Sequence, residues 1–113
     1  MSFDIVVFDD DFKYARQLHM DAIISKALFR KLITAEGYPY LHMADNDKED
    51  LIFEREDVPI LMKDVEKLVN YLETEKLMAT EVKAHCLNFA RGLLDACSVA
   101  IETNHTVDFI AGE

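Results

Sequence analysis

The chain has 113 residues, half of them hydrophobic, and a formal net charge of −10. This length fits a single domain, residues 1–113, with a real hydrophobic core. The first residues lack the basic region of a signal peptide, and the longest uninterrupted apolar run, Ile5–Phe8, is far shorter than the roughly 18 residues of a membrane span. We therefore expect a soluble protein that stays in the cytoplasm.

The negative charge is concentrated in the middle of the sequence. Residues 36–75 contain twelve acids and four bases, whereas residues 1–35 are balanced and residues 76–113 carry a net charge of −2. An acidic surface repels nucleic acid and anionic lipid and attracts cations. The charge therefore favours a basic protein as partner over nucleic acid or a membrane, and greater solubility is the alternative interpretation.

The first third of the chain contains a strand signal followed by a helix signal. Phe3–Phe8 is rich in β-branched and aromatic residues, which predicts a strand, and the acids at 9–11 suit the cap of a following helix. Apolar residues at intervals of three, four and seven then predict a long helix from about Phe12 to Ala35. Gly37 would end this helix in a left-handed conformation.

The middle segment has weaker patterns. Tyr40–Met43 and Leu51–Phe53 are each compatible with a short strand, and the two with a hairpin around the turn residues 45–47.

Two helix signals and a strand signal follow. Asp57 and Pro59 are typical of a helix start, and an amphipathic pattern continues to about Lys76. A third helix is predicted from Thr80, as its cap, to about Thr103. Gly92 in the middle of this helix predicts the close approach of another helix.

The last segment, Thr106–Ala111, reads as a strand whose alternating apolar residues match those of Phe3–Phe8. Pairing of the two would join the ends of the chain in one sheet. The predicted fold class is therefore α+β and mostly helical, with three main helices packed on a small sheet that includes the N- and C-terminal strands.

The two cysteines, Cys86 and Cys97, fall eleven residues apart on the third predicted helix. This spacing separates them by about 16 Å, too far for a disulfide, and places both on one face. We expect two buried, reduced thiols, which suits a cytoplasmic protein.

The acids after the first strand resemble two known sites. The segment Val6–Asp11 resembles the opening of the haloacid-dehalogenase-type phosphatases, a resemblance that would make Asp9 the nucleophile and Asp11 the general acid. It is also similar to the acidic pocket of response-regulator receiver domains. Phe12-Lys13 replaces the usual glycine-threonine pair, and the repeated βα units of both families are missing. An acidic turn that caps a helix is the favoured interpretation.

A second acidic segment has the spacing of a calcium loop. Asp45, Asp47, Glu49, the Leu51 carbonyl and Glu56 match positions 1, 3, 5, 7 and 12 of an EF-hand, but the required glycine is replaced by Asp50. The four histidines share no metal-ligand spacing. We therefore expect no metal site, no catalytic residues, no enzymatic activity and no cofactor.

Acidic and aromatic residues alternate in the middle of the chain, and carboxylates beside aromatic anchors are typical of a tight interface with a cationic partner. The alternative is an ordinary charged loop with its aromatic rings turned inward. The predicted partner-binding residues are Tyr38, Tyr40, Asp45, Asp47, Glu49, Asp50, Phe53, Glu54, Glu56 and Asp57.

In size, cytosolic character, helical content and concentrated acidic charge, the chain resembles the small acidic immunity proteins of bacterial toxin systems, such as contact-dependent growth inhibition. The resemblance implies one-to-one binding that blocks a cognate, nuclease-like toxin without catalysis. Two alternatives are a nucleic-acid mimic from a phage or mobile element, and a small metal-binding regulator or enzyme that uses Asp9 and Asp11. The sequence leaves the oligomeric state open.

Overall fold

A computed structural model describes residues 3–30, 32–45 and 50–111. The helices occupy about half of the chain, and they combine with an antiparallel sheet in an α+β fold. The strands are β1 (Phe3–Phe8), β2 (Tyr14–Met20), β3 (Leu51–Phe53) and β4 (Val107–Ala111), and the α-helices are α1 (Ala22–Ile24), α2 (Val58–Thr74) and α3 (Thr80–Thr103). A π-helical turn, Ser25–Phe29, continues α1, and a 3-10 helix, Leu41–Asp45, precedes β3.

The ends of the chain pair at the centre of the sheet, as the sequence predicts. The strand order is β2-β1-β4-β3, and the β1–β4 register places Phe3 opposite Ala111 and Ile5 opposite Phe109. The side chains of Phe3, Ile5 and Phe109 are all buried, and the Phe3 and Phe109 rings pack edge to face. Burial of this alternating apolar set explains why two segments a hundred residues apart find one register.

The helices cover one face of the sheet. Helix α3 packs against β1, β2 and β4, and α2 packs on α3. Gly92 lies where α3 meets β2, and an added Cβ there would come within 3.5 Å of Leu18 Cδ1. The predicted reason for this glycine, a neighbouring helix, is therefore wrong, because the close neighbour is a strand.

The predicted helix over residues 12–35 is wrong in its first half. Tyr14–Met20 forms β2, which pairs with β1 as an antiparallel hairpin. Helical structure begins only after Asp21, whose Oδ1 accepts the Ile24 N–H at 2.9 Å, and it ends at Phe29. The apolar residues of β2 fit a period of two as well as a helical period, so pairing with β1 decides between them.

Asp21 also ties the start of α1 to α3, because its Oδ2 lies 2.7 Å from His85 Nε2. Burial raises the pKa of Asp21, but the hydrogen bonds from the Ile24 N–H and from His85 outweigh it and hold this pKa below its ordinary value.

Three smaller local predictions are also wrong. Gly37 is not a left-handed cap, since none of the glycines in the described ranges has a positive φ. Tyr40–Met43 is not a strand, because the chain enters the 3-10 helix there, and β3 pairs with β4 rather than with this segment. The prediction of a strand at Leu51–Phe53 itself is confirmed.

The two long helices occupy the ranges that the sequence predicts. Asp57 stands at the N-cap position of α2, although its side chain makes no capping hydrogen bond, and Pro59 lies in the first turn as expected. Thr80 is the first residue of α3 rather than its cap. Asn104 ends α3 in a left-handed conformation with φ 59°.

Cys86 and Cys97 are buried free thiols, as predicted. Burial raises the pKa of Cys97 to about 12. Burial also raises the pKa of Cys86, with a further contribution from the charge of Asp21. None of the helices in the described ranges is long and apolar enough to cross a membrane.

The buried carboxylate of Asp64 gives a test of the packing between α2 and the 3-10 helix. Its Oδ2 accepts the backbone N–H groups of Tyr40 and Leu41 at 2.8 and 3.0 Å. Asp64→Ala should lower the free energy of unfolding by about 2–5 kcal/mol, because two donors lose their acceptor. Urea denaturation measures this loss, with Glu66→Ala, an exposed acid on the same helix, as control.

Asp64→Asn keeps one acceptor oxygen and should cost less than Asp64→Ala. An alanine variant as stable as the Glu66→Ala control would contradict the assigned role of Asp64.

The thiols give a second test. Because the thiolate is the reactive form, a buried thiol with a raised pKa should be nearly inert toward a disulfide exchange reagent in the native protein. We expect Cys86 and Cys97 to react only as the protein unfolds, with both reacting at once in denaturant. Fast labelling of either thiol under native conditions would show that the α3 core opens locally.

Candidate partner-binding site

The topology of the sheet brings two acidic segments to the same end. Strand β1 ends at Phe8 and is followed by Asp9–Asp11, and β3 ends at Phe53 and is followed by Glu54–Asp57. Because β4 is antiparallel to both strands, both segments lie at the end where β4 begins. We call this region the acidic end, and its carboxylates belong to Asp9, Asp10, Asp11, Glu54, Glu56, Asp57 and Asp108.

An open cleft of about 430 Å³ lies between the two segments. Its walls come from the β1–β2 turn, from the residue two positions after β3, and from the start of β4. The lining residues are Phe8, Asp9, Asp10, Phe12, Arg55, His105, Thr106 and Asp108. The cleft therefore confirms that the two acidic segments are neighbours in space.

Hydrogen bonds hold the wall of the cleft in place. His105 Nε2 lies 2.9 Å from Asp10 Oδ1, while His105 Nδ1 lies 2.8 Å from Thr103 Oγ1. The Thr106 hydroxyl donates to Asp108 Oδ1 at 2.7 Å. The Asp10 side chain is nevertheless 96% exposed, so a positioned carboxylate faces the solvent.

The turn between β1 and β2 presents an aromatic ring at its tip. The Asp9 carboxylate accepts the backbone N–H groups of Asp11 and Lys13, which closes the turn. Phe12 adopts φ 58° and is 86% exposed. A left-handed conformation costs a bulky residue about 1–2 kcal/mol, and such strain is concentrated at functional sites.

A second aromatic ring stands beside the turn. Tyr14 is 55% exposed, and its ring packs on that of Phe8 at a centroid distance of 5.3 Å. Exposed aromatic rings next to carboxylates are typical of a surface that binds a cationic partner.

The aromatic residues that the sequence analysis chose as contacts lie in the core. Tyr38 and Phe53 are only 4% and 3% exposed. The Phe53 ring packs on Phe109, and the half-buried Tyr40 ring stacks on Phe53 at 6.5 Å. For these residues the alternative interpretation, with rings turned inward, is the correct one.

The predicted acids are divided between two ends of the sheet. Glu54, Glu56 and Asp57 belong to the acidic end, whereas Asp50 precedes β3 and its Oδ1 accepts the Ala111 N–H at the opposite end. The backbone of Asp45 ends the 3-10 helix. The predicted contacts Asp47 and Glu49 lie outside the described residues.

Other acids between residues 36 and 75 stabilise the fold through hydrogen bonds instead of adding to one negatively charged surface. Asp64 is buried, and the Glu75 carboxylate accepts the N–H groups of Leu77 and Met78. Glu73 pairs with Arg91 at 3.4 Å. The described acids of residues 36–75 therefore do not all gather on one surface, because several of them have hydrogen-bonding partners in the chain.

Sequence reasoning missed Phe12 and Tyr14, which it placed on a helix. The available signal was the run of three aspartates directly before Phe12, since aspartate is a turn residue and a turn there would take Phe12 out of a helix.

The structure gives little support to a metal or phosphatase site. Within the described ranges, no group of three or more His, Cys, Asp or Glu side chains is arranged to hold a metal ion. Asp9 does not cap a helix, as the sequence analysis expected, but closes a hairpin turn. The calcium-loop proposal depends partly on residues 47 and 49, which are not described.

Comparison with protein-family models, with curated proteins and with solved structures found no match to this chain.

The conformation of Phe12 predicts an unusual gain in stability. Phe12→Gly should raise the free energy of unfolding by about 0.5–1 kcal/mol, because glycine adopts a positive φ without strain. The control is Leu77→Gly, an exposed apolar turn residue with no positive φ, which should give no gain. Denaturant unfolding measures both, and a less stable Phe12→Gly variant would contradict the strain argument.

Proposed function

We propose that this protein binds a basic protein through the acidic end and acts as a cytoplasmic immunity protein, blocking a cognate, nuclease-like bacterial toxin. The observation that supports this most directly is an open cleft beside the exposed Phe12 that is lined by Asp9, Asp10 and Asp108, with the acidic segment Glu54–Asp57 reaching it through Arg55. The proposal needs neither catalysis nor a cofactor.

The charge balance of the acidic end supports a cationic partner. Its seven carboxylates outnumber the two bases in the same turns, Lys13 and Arg55, and the neighbouring His105 contacts Asp10. A nuclease must hold phosphates, so its active site is basic, and an inhibitor can occupy it with carboxylates. Such complementary charge accelerates encounter and excludes partners of the same sign.

The arrangement of the carboxylates favours a protein-specific contact over imitation of nucleic acid. A mimic needs acids in a row at phosphate-like spacing, whereas the cleft combines Asp9, Asp10 and Asp108 with the ring of Phe12. Aromatic anchors at the centre of an interface supply binding energy that charge alone does not.

Charge reversal at the acidic end tests this function. In cells that express a toxin encoded beside the gene, Asp10→Lys combined with Glu54→Lys should abolish protection. With the purified toxin, this variant should raise the dissociation constant by about a hundredfold or more, since loss of central interface groups costs about 2 kcal/mol or more each. Binding is measured by calorimetry at low and high salt.

The matched control is Glu36→Lys combined with Glu66→Lys, which makes the same change in net charge at two exposed positions elsewhere. It should leave protection intact. The proposed site would be contradicted if the variant with reversed charge at the acidic end still protected cells while the control variant did not. If the unaltered protein gives no protection and binds no basic partner at any salt concentration, the proposed function is contradicted.

A further inference from the structure

The outer edge of β2 is a second exposed feature, separate from the acidic end. Strand β2 is at the end of the sheet and pairs only with β1. Among the described residues, no backbone-to-backbone hydrogen bond outside the β1–β2 ladder involves residues 14–20. Alternate N–H and C=O groups of a seven-residue strand therefore point away from the sheet.

The two edges of the sheet differ in how well they are protected. Proteins discourage pairing at sheet edges with short strands, prolines, lysines or bulges. The edge strand β3 has only three residues. Strand β2 has a register shift between Tyr14 and Arg16 and carries the charged Arg16, both of which discourage edge pairing, but it contains no proline or glycine and its register with β1 is regular from Arg16 to Met20. This regular part of β2 is longer than β3 and offers the better edge to another extended segment.

The charge distribution points to a second copy of this chain as that segment. Residues 12–20 contain no acid, although the whole chain carries a net charge of −10. The only strongly basic side chain within β2, Arg16, is paired with Asp95 of α3 at 2.7 Å. Two β2 edges can therefore approach each other without the carboxylate repulsion that other surfaces of the chain would produce.

The regular stretch of β2 is also complementary to itself. Full antiparallel overlap of Arg16–Met20 with its copy places Leu18 opposite Leu18 and Arg16 opposite Met20 on the helix-covered face, and Gln17 opposite His19 on the open face. No like charges face each other in this register. A copy therefore matches the edge on both faces.

We infer that the protein forms a symmetric dimer by antiparallel pairing of its β2 edges, which joins the two sheets into one of eight strands. A twofold axis of this kind makes the interface isologous and closed. Because the paired strands run in opposite directions, the two acidic ends lie at opposite ends of the dimer. Each copy can then bind one partner independently.

Sedimentation over a range of protein concentrations, with hydrogen exchange followed at low and high concentration, tests the dimer. We expect a monomer–dimer equilibrium, and alternate amides of β2 should become protected only at high concentration. A protein that stays monomeric at its solubility limit, or a dimer that protects another surface, overturns the inference.

A double variant, Gln17→Lys with His19→Lys, makes the test specific. It places two lysine pairs opposite each other in the dimer and should weaken it by about tenfold, since like charges directly opposite across strands are repulsive. The fold of the monomer should persist, because position 19 lies beside Asp4, which already contacts His19 at 2.9 Å.

The control variant is Asn70→Lys with Asn88→Lys, which adds the same charge on exposed helix positions. Both double variants lower the net negative charge of the chain. A weaker dimer in the β2 variant alone can therefore come only from an effect at the β2 edge. Equal dimerisation of the two variants overturns the inference. So does protection of β2 that appears only on addition of a different protein, which would identify the occupant as a partner strand.

Discussion

The pairing of β1 with β4 is the constraint on which the rest of the structure depends. It joins the two ends of the chain at the centre of the sheet, with Ile5 opposite Phe109 and both buried. Since β4 directly follows α3, this pairing determines where α3 crosses the sheet and which face it covers. It also leaves β1 with one free side, which β2 fills, and β4 with one free side, which β3 fills. The acidic end is a consequence, because the turn after β1 and the turn after β3 then meet.

The net charge of the chain overstates the charge that its surface offers to a partner. Asp64 accepts hydrogen bonds from two backbone N–H groups inside the protein, and Asp21 joins α1 to α3 through His85. Acids of this kind stabilise loops that have no regular ladder of hydrogen bonds. At the acidic end, by contrast, the side chains of Asp10, Asp11, Glu54 and Glu56 are exposed.

The turn at the acidic end holds a bulky residue in a left-handed conformation. A glycine at position 12 would relieve the backbone, yet the chain places there a phenylalanine that contributes almost nothing to its own core. Backbone strain of this kind is concentrated at functional sites. The same turn carries Asp10 and Asp11, so ring and charge are presented together.

By itself, the sequence determined the elements whose patterns are strong: β1, β4, α2, α3 and the burial of both cysteines. Only the tertiary structure decided that residues 14–20 form a strand, because Ala15 and Leu18 suit a helical period while Leu18 and Met20 suit a period of two, and the free side of β1 supplies the partner. The candidate site divides in the same way. The acids of Glu54–Asp57 were visible in the sequence, but their meeting with Asp9–Asp11 and Phe12 was not, since contact between segments forty residues apart is set by strand order rather than by local pattern.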